Sequence, residues 1–119
     1  NAIVQGVRKN GHQQPIIGFP KGFGDGLIHY AEESGVDAIG LDHGVDPGWA
    51  GKNLPKNLPV QGNLDPLSLI SAGKEMLRDI DYILESFHDR PHIFNLGHGI
   101  IPPTPVENVQ IMIDHIRNV

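Results

Sequence analysis

Short apolar runs alternate with longer amphipathic segments along the chain. Four runs, each bounded by Gly, Pro or Asp, predict β-strands at residues 16–19, 38–41, 59–62 and 92–96. They alternate little between polar and apolar positions, which is typical of strands buried on both faces. A helical pattern follows each run, and parallel neighbours need such crossover connections. The sequence therefore predicts an α/β fold with four β-α units, a parallel sheet and outer helices.

The predicted helices have recognisable ends. Asp25 is predicted to cap a helix that stops at Gly35. Asp46 and Asp65 each combine a capping carboxylate with a following Pro, which suits the first helical position. Thr104 begins a capping-box pattern. The last two helices carry apolar stripes at helical spacing: Leu77, Ile80, Leu84 and Phe87 in one, and Val106, Val109, Ile113 and Ile116 in the other.

Composition narrows the possible partners. The 119 residues suit one domain, and 9 basic against 14 acidic side chains give a net charge of -5, which argues against a nucleic-acid partner. No apolar run is long enough for a membrane span. The chain has no cysteine, which excludes disulfides and thiolate chemistry and fits a cytoplasmic protein. Seven histidines occur without a metal-binding spacing, so we expect no metal.

The first two residues differ in kind from the rest of the chain. Asn1 and Ala2 are typical of the remnant that stays after an affinity tag is cleaved. We therefore expect residues 1–2 to be such a remnant and residues 3–119 to be the domain proper.

Conspicuous polar residues follow all four predicted strands. They are Lys21, Asp42, Asn63 and His98, the last flanked by glycines on both sides. Ligands of parallel α/β folds bind at the carboxyl ends of the strands, so we expect these side chains to line one rim. Two of them also have a structural explanation: Asp42 could satisfy loop amides, and Lys21 could be a solvated loop residue.

Longer motifs make the sequence specific. Residues 61–66 (QGNLDP) and 93–100 (IFNLGHGI) together resemble the uroporphyrinogen decarboxylase family. Residues 40–42 (GLD), the following VDP and residues 104–109 (TPVENV) fit the same family. The resemblance extends from about residue 15 to residue 119. A departure occurs at His43, where the family commonly has Trp or another aromatic residue.

The resemblance implies a fold and an activity. The fold would be the C-terminal half, the last four β-α units, of a (β/α)8 TIM barrel. The family forms a cytoplasmic, cofactor-free homodimer that converts uroporphyrinogen III to coproporphyrinogen III by removing the carboxyl groups of four acetate side chains. His98 matches the family's glycine-flanked histidine, which lines the substrate cleft. No catalytic residue can be carried over, because the family's catalytic Asp, its supporting Tyr and Ser, and its Arg-rich motif have no counterpart here.

The charges predict that the chain is inactive alone. Eight substrate carboxylates need arginine partners. The only arginines are Arg8, Arg78, Arg90 and Arg117, and none follows a predicted strand directly. A net charge of -5 would itself repel a polyanion.

Two other hypotheses stay open at this point. The chain could be a non-catalytic half-barrel that associates with itself or another chain, since half a barrel exposes sheet edges. For the decarboxylase fragment as well, we expect two copies to associate face to face or to swap elements and so cover the open face of the sheet. It could also resemble the cobalamin-dependent methyltransferases, which share the barrel but hold zinc with His and Cys. The absence of cysteine argues against the methyltransferases.

Overall fold

Four short parallel strands form one sheet in the order β1-β2-β3-β4. A computed structural model describes residues 1–119. Each strand lies inside the run predicted for it, and every neighbouring pair is parallel, which confirms the predicted α/β topology. An isolated parallel bridge between Leu64 and Leu96 extends the pairing toward the carboxyl edge. The strands are β1 (Ile17–Gly18), β2 (Ala38–Gly40), β3 (Val60–Gln61) and β4 (His92–Ile93).

Six helices and one 3-10 turn connect and flank the strands. The turn covers Gly24–Gly26. No helix is long and apolar enough to cross a membrane. The helices are α1 (Ala2–Lys9), α2 (Leu27–Glu33), α3 (Pro47–Asn53), α4 (Ser68–Ser71), α5 (Lys74–Ser86) and α6 (Val106–Asn118).

Helix α1 is not among the predicted elements. Arg8 and Lys9 occupy its last turn, where cations interact favourably with the helix dipole. Arg8 also reaches across to Asp37, with 2.5 Å between the guanidinium and the carboxylate. The same carboxylate accepts a hydrogen bond from the backbone N–H of Ile16, just before β1. Helix α1 is therefore attached to the sheet by a polar contact that its own sequence does not reveal.

The hydrophobic core lies between the sheet and the helices. Ile39 and Val60 are opposite each other in the register of β2 and β3, and both are fully buried. Ile80 and Phe87 of the α5 region pack into the same cluster, as the predicted stripe requires. Leu77 and Leu84 are only partly buried, because Met76 and Ile83 take the deeper positions. Each fully buried apolar side chain contributes about 1.5–3 kcal/mol.

The opposite face of the sheet is open. Ile17 of β1 is 45% exposed and Ile93 of β4 is 50% exposed. Phe19, just after β1, is also exposed and lies over Gly40. Side chains of a strand alternate between faces, and these residues lie on the face away from the fully buried Ile39. The sheet therefore has one covered and one uncovered apolar face.

Two of the predicted caps are confirmed. Asp46 begins α3 and accepts a hydrogen bond from the backbone N–H of Trp49 at 2.7 Å, with Pro47 at the first helical position. Gly35 follows the C-cap residue Ser34 of α2 and has a φ of +77°. Glycine adopts this left-handed conformation at no steric cost.

Three other caps differ from the prediction. Asp25 lies inside the 3-10 turn and makes no capping hydrogen bond. Asp65 accepts from the N–H of Leu67 at 2.9 Å, but this closes a turn before α4 begins. The capping box at Thr104 is wrong, because Pro105 occupies the N-cap and the Thr104 hydroxyl is buried without a partner. In each case the helix begins one or more residues later than its local signal indicates.

Arg90 connects the loop before β4 to the end of α3, near the amino ends of the strands. It is only 7% exposed, and its guanidinium donates to the carbonyls of Gly51 at 2.9 Å and Leu54 at 3.2 Å. A third bond reaches the carbonyl of Pro55. Carbonyls at a helix end lack partners within the helix, so Arg90 satisfies those at the end of α3. It is therefore unavailable to a ligand at the carboxyl edge.

Candidate functional site

The loops after the four strands meet at the carboxyl edge, as predicted. Hydrogen bonds connect them: Lys21 contacts His98, the backbone of Gly22 contacts Asp42, and Asn63 contacts the backbone of Asp42. The four candidate residues therefore form one continuous rim. They divide into two pairs with different surroundings.

The first pair, Lys21 and His98, lies in the loops that follow the outer strands β1 and β4. The Lys21 Nζ is 3.2 Å from Nε2 of His98, and both side chains are exposed. They line an open pocket of about 260 Å³, together with His43 and Asp65. Its other lining residues are Pro66, Leu67, Gly99 and Ile101. The pocket can accept a polar ligand that offers an acceptor to a cation or to an imidazole N–H.

His43 is the rim residue that the sequence reasoning did not select. Its ring faces that of His98 edge-on, with centroids 6.5 Å apart and planes at 85°. It is exposed and lines the same pocket. Its position directly after Asp42, at the end of a predicted strand, was the signal that could have identified it.

The second pair begins with Asp42, whose carboxylate is occupied by backbone groups. One oxygen accepts from the N–H of Gly22 at 3.0 Å, and the other accepts from the N–H of Gly44 at 2.8 Å. Gly22 adopts a φ of +67° in the loop that carries Lys21. Asp42 thereby ties the loop after β1 to the loop after β2, and so positions Lys21.

Asn63 is the second member of this pair, and it is buried beneath the rim. It is 3% exposed, and its amide donates to the carbonyls of Asp42 at 3.0 Å and Val45 at 2.7 Å. Its side-chain oxygen has no partner. Gly62, just before it, has a φ of +130° and packs against the backbone of Leu41. Asn63 therefore supports the loop after β2 and is hidden from the pocket.

The two glycines around His98 have different roles. A side chain at Gly97 would collide with the backbone N and Cα of His43, whereas one at Gly99 would meet open space. The N–H of Gly97 also donates to the carbonyl of Leu64 at 2.8 Å. Gly97 thus seats the His98 loop against its neighbours, and Gly99 leaves the pocket side of that loop free.

Three titratable groups have displaced pKa values, and all lie outside the pocket. Burial lowers the pKa of His92, whose Nε2 is 2.7 Å from the carbonyl oxygen of Gly62. A hydrogen bond to Asp46 raises the pKa of Tyr82. A hydrogen bond from Lys56 lowers the pKa of Asp89. His92 therefore acts as a neutral donor that supports the strand leading to Asn63.

The His, Asp and Glu side chains do not form a metal site. No group of three or more of them is arranged to hold a metal ion. The pocket offers one ammonium, two imidazoles and one carboxylate. This donor set is suited to hydrogen bonding and to contact with anionic groups.

The fold and the rim place this protein among the parallel α/β proteins that present polar side chains at the carboxyl ends of their strands. The family model for uroporphyrinogen decarboxylase matches residues 1–119. The chain belongs to the uroporphyrinogen decarboxylase family. The resemblance that the motifs indicated is thereby confirmed.

Curated relatives give the same result. Proteins named uroporphyrinogen decarboxylase from Sphingopyxis alaskensis and Novosphingobium aromaticivorans are each 56% identical over 115 residues, 97% of this chain and 34% of theirs. One of the same name from Maricaulis maris is 48% identical over 116 residues, which is 98% of this chain and 34% of its own. The chain therefore spans about a third of the length of these relatives. The four parallel strands and their helices are consistent with that part of a TIM barrel.

Proposed function

We propose that the protein containing this chain is a uroporphyrinogen decarboxylase, which removes the carboxyl groups of four acetate side chains and yields coproporphyrinogen III. The observation that carries the proposal is membership of the family over residues 1–119, with relatives of that name at 56% identity. The geometry agrees with it, because the pocket at the carboxyl edge places Lys21 beside His98.

The pocket residues have different parts in the proposed function. His98 and Lys21 contact a carboxylate of the tetrapyrrole, because both are exposed and can donate hydrogen bonds to an anion. Asp42 and Asn63 shape the rim without reaching the substrate. Backbone N–H groups bond to both oxygens of Asp42, and Asn63 is buried with its amide N–H groups donated to backbone carbonyls. The residues that stabilise the reacting pyrrole come from the remaining part of the protein.

We also propose that these 119 residues are inactive alone. A substrate with eight carboxylates needs several guanidinium partners. Arg90 is committed to the end of α3, and Arg8 to Asp37. Arg78 and Arg117 lie on the helices α5 and α6, and the pocket contains no arginine. Any coproporphyrinogen formed by the isolated chain would contradict this part of the proposal.

The open face of the sheet supports a further part of the proposal. Ile17, Phe19 and Ile93 require a cover, and the remaining strands of a closed barrel would provide one. We further propose, from the resemblance alone, that the complete protein is a cytoplasmic homodimer. Sedimentation of the full-length protein measures the assembly, and a strictly monomeric result would contradict it.

The deciding experiment is an anaerobic assay of the full-length protein with uroporphyrinogen III. Chromatography of the products, oxidised to porphyrins, separates species with eight to four carboxyl groups, since four are removed in turn. The proposal predicts accumulation of the four-carboxyl product without any added cofactor. Unchanged substrate in the presence of folded protein would overturn it.

A further inference from the structure

The contact between Lys21 and His98 constrains the proton on the imidazole. Lys21 Nζ lies 3.2 Å from His98 Nε2, and neither side chain makes another hydrogen bond. The two residues are 77 positions apart and follow the two outer strands of the sheet. The contact is therefore produced by the fold, which brings the loops after β1 and β4 together.

The chemistry of the two groups fixes the direction of the hydrogen bond. An ammonium group has three donors and no acceptor, whereas a neutral imidazole has one nitrogen of each kind. An alkylammonium holds its proton more strongly than an imidazolium does. Lys21 is therefore the donor, and Nε2 of His98 is the acceptor. A ring that accepts at Nε2 carries its hydrogen on Nδ1.

We propose that Lys21 is a positioning residue that fixes His98 in the Nδ1–H tautomer. His98 then has a single N–H to offer a ligand, and its Nε2 cannot act as a base while Lys21 occupies it. The consequence for turnover rests on the proposed function: Nδ1–H donates a hydrogen bond to a carboxylate of the substrate. The tautomer itself does not depend on the proposed function, since it rests on the Lys21–His98 contact and on the donors that an ammonium group has.

The surroundings of His98 leave that donor free. His43 is the nearest ring, but no hydrogen bond joins it to His98. Asp65 lines the same pocket, and its carboxylate accepts from the backbone N–H of Leu67. No carboxylate or carbonyl of the chain accepts from Nδ1 of His98. The donor is therefore available to a ligand in the pocket.

Nitrogen-15 NMR tests this directly in the full-length protein labelled at histidine. The His98 signals are assigned by their loss in His98→Gln, and the two-bond couplings to the ring hydrogens distinguish the tautomers. We expect the Nδ1–H form in the unmodified protein. Lys21→Met shifts His98 toward the Nε2–H form, whereas Lys21→Arg, which keeps a cationic donor, retains Nδ1–H. Lys52→Met is the matched control, since Lys52 lies in the last turn of α3 and makes no polar contact.

Either of two results overturns the proposal: an Nε2–H tautomer in the unmodified protein, or an unchanged tautomer in Lys21→Met. If Lys21 only supported its loop, replacing it would leave the tautomer of His98 unchanged. Lys21→Arg changes the side chain but keeps a cationic donor, so a folded Lys21→Arg variant separates loss of the donor from loss of the side chain.

Turnover provides the second readout. Lys21→Met is expected to lower kcat/KM for uroporphyrinogen by at least about tenfold, because it removes the Lys21 ammonium from the substrate carboxylate and also releases the His98 donor, and Lys21→Arg recovers most of the loss. A shifted tautomer with unchanged kcat/KM overturns the role of Lys21 in turnover. If the unmodified protein does not convert uroporphyrinogen while the tautomer behaves as expected, the proposed function fails and the tautomer assignment stands.

Discussion

The two halves of the rim use similar polar residues for different purposes. After the outer strands, Lys21 and His98 are exposed and bonded only to each other. After the inner strands, Asp42 and Asn63 bond to the backbone of neighbouring loops. A polar residue at the end of a parallel strand thus has two possible uses. It meets a ligand when it is exposed, and it builds the site when it bonds to the backbone of neighbouring loops.

The largest expected effect on stability comes from a charge introduced at the buried Asn63. Asn63→Asp replaces a buried amide donor by a carboxylate that faces the carbonyls of Asp42 and Val45. An unpaired buried charge is strongly destabilising, so we expect the free energy of unfolding to fall by about 3–5 kcal/mol. Denaturant unfolding measures this loss. Asn53→Asp, at an exposed amide on α3, is the control and should cost less than about 1 kcal/mol.

A smaller effect is expected at Gly97, where the loop that carries His98 packs against the loop after β2. Gly97→Ala introduces a methyl group against the backbone of His43, and should destabilise the protein by about 1–3 kcal/mol while displacing His98. Gly99→Ala, two residues away, has open space and should leave stability within about 0.5 kcal/mol. Equal stability losses in the two variants would contradict the assignment of opposite roles to these glycines.

The next effect tests Asp42. Asp42→Ala removes the acceptor for the N–H groups of Gly22 and Gly44, both of which can turn to water. We expect a loss of about 1–2 kcal/mol in the free energy of unfolding. Asp25→Ala, an exposed carboxylate without a side-chain capping bond, is the control and should be nearly neutral. If Asp42→Ala abolished turnover with unchanged stability, Asp42 would belong with the ligand-binding half.

The smallest effect is a dependence of stability on pH. Burial lowers the pKa of His92 in the folded protein below its ordinary value of 6.5. The unfolded chain therefore binds more protons, and the stability from neutral His92 is complete above pH 6.5 and decreases as the pH falls below it. His92→Gln should reduce the loss of stability between neutral and mildly acidic solution. The exposed His29→Gln should change it far less.

The sequence was sufficient to predict most of the residues that lie on the rim. It was not sufficient to predict which of them are exposed to a ligand and which bond to the backbone. Apolar runs followed by helical patterns identified the strands, and the rule for parallel sheets placed Lys21 and His98 on one edge. The sequence did not reveal that Asn63 is buried, because its partners are carbonyls of another loop. The position of His43 after a predicted strand was a signal for the rim, but its approach to His98 depends on how Gly97 packs.

Local sequence signals did not predict helix starts and side-chain roles that depend on tertiary contacts. Asp25 and Thr104 have the residue types of helix caps, but both helices begin later in the chain. Arg90 had no visible signal, since its role is to satisfy three carbonyls at the end of α3. Helix α1 was also missed, and its ion pair with Asp37 joins residues far apart in sequence.

The contact between His98 and the substrate is tested most directly by the kcat/KM of the full-length His98→Gln variant for uroporphyrinogen III, measured together with its free energy of unfolding. We expect kcat/KM to fall by at least about tenfold, because the variant loses the imidazole donor facing the substrate. Stability should stay within about 0.5 kcal/mol of the unmodified protein, since His98 is exposed. Unchanged kcat/KM in a folded variant would contradict the claim that the outer half of the rim contacts the substrate.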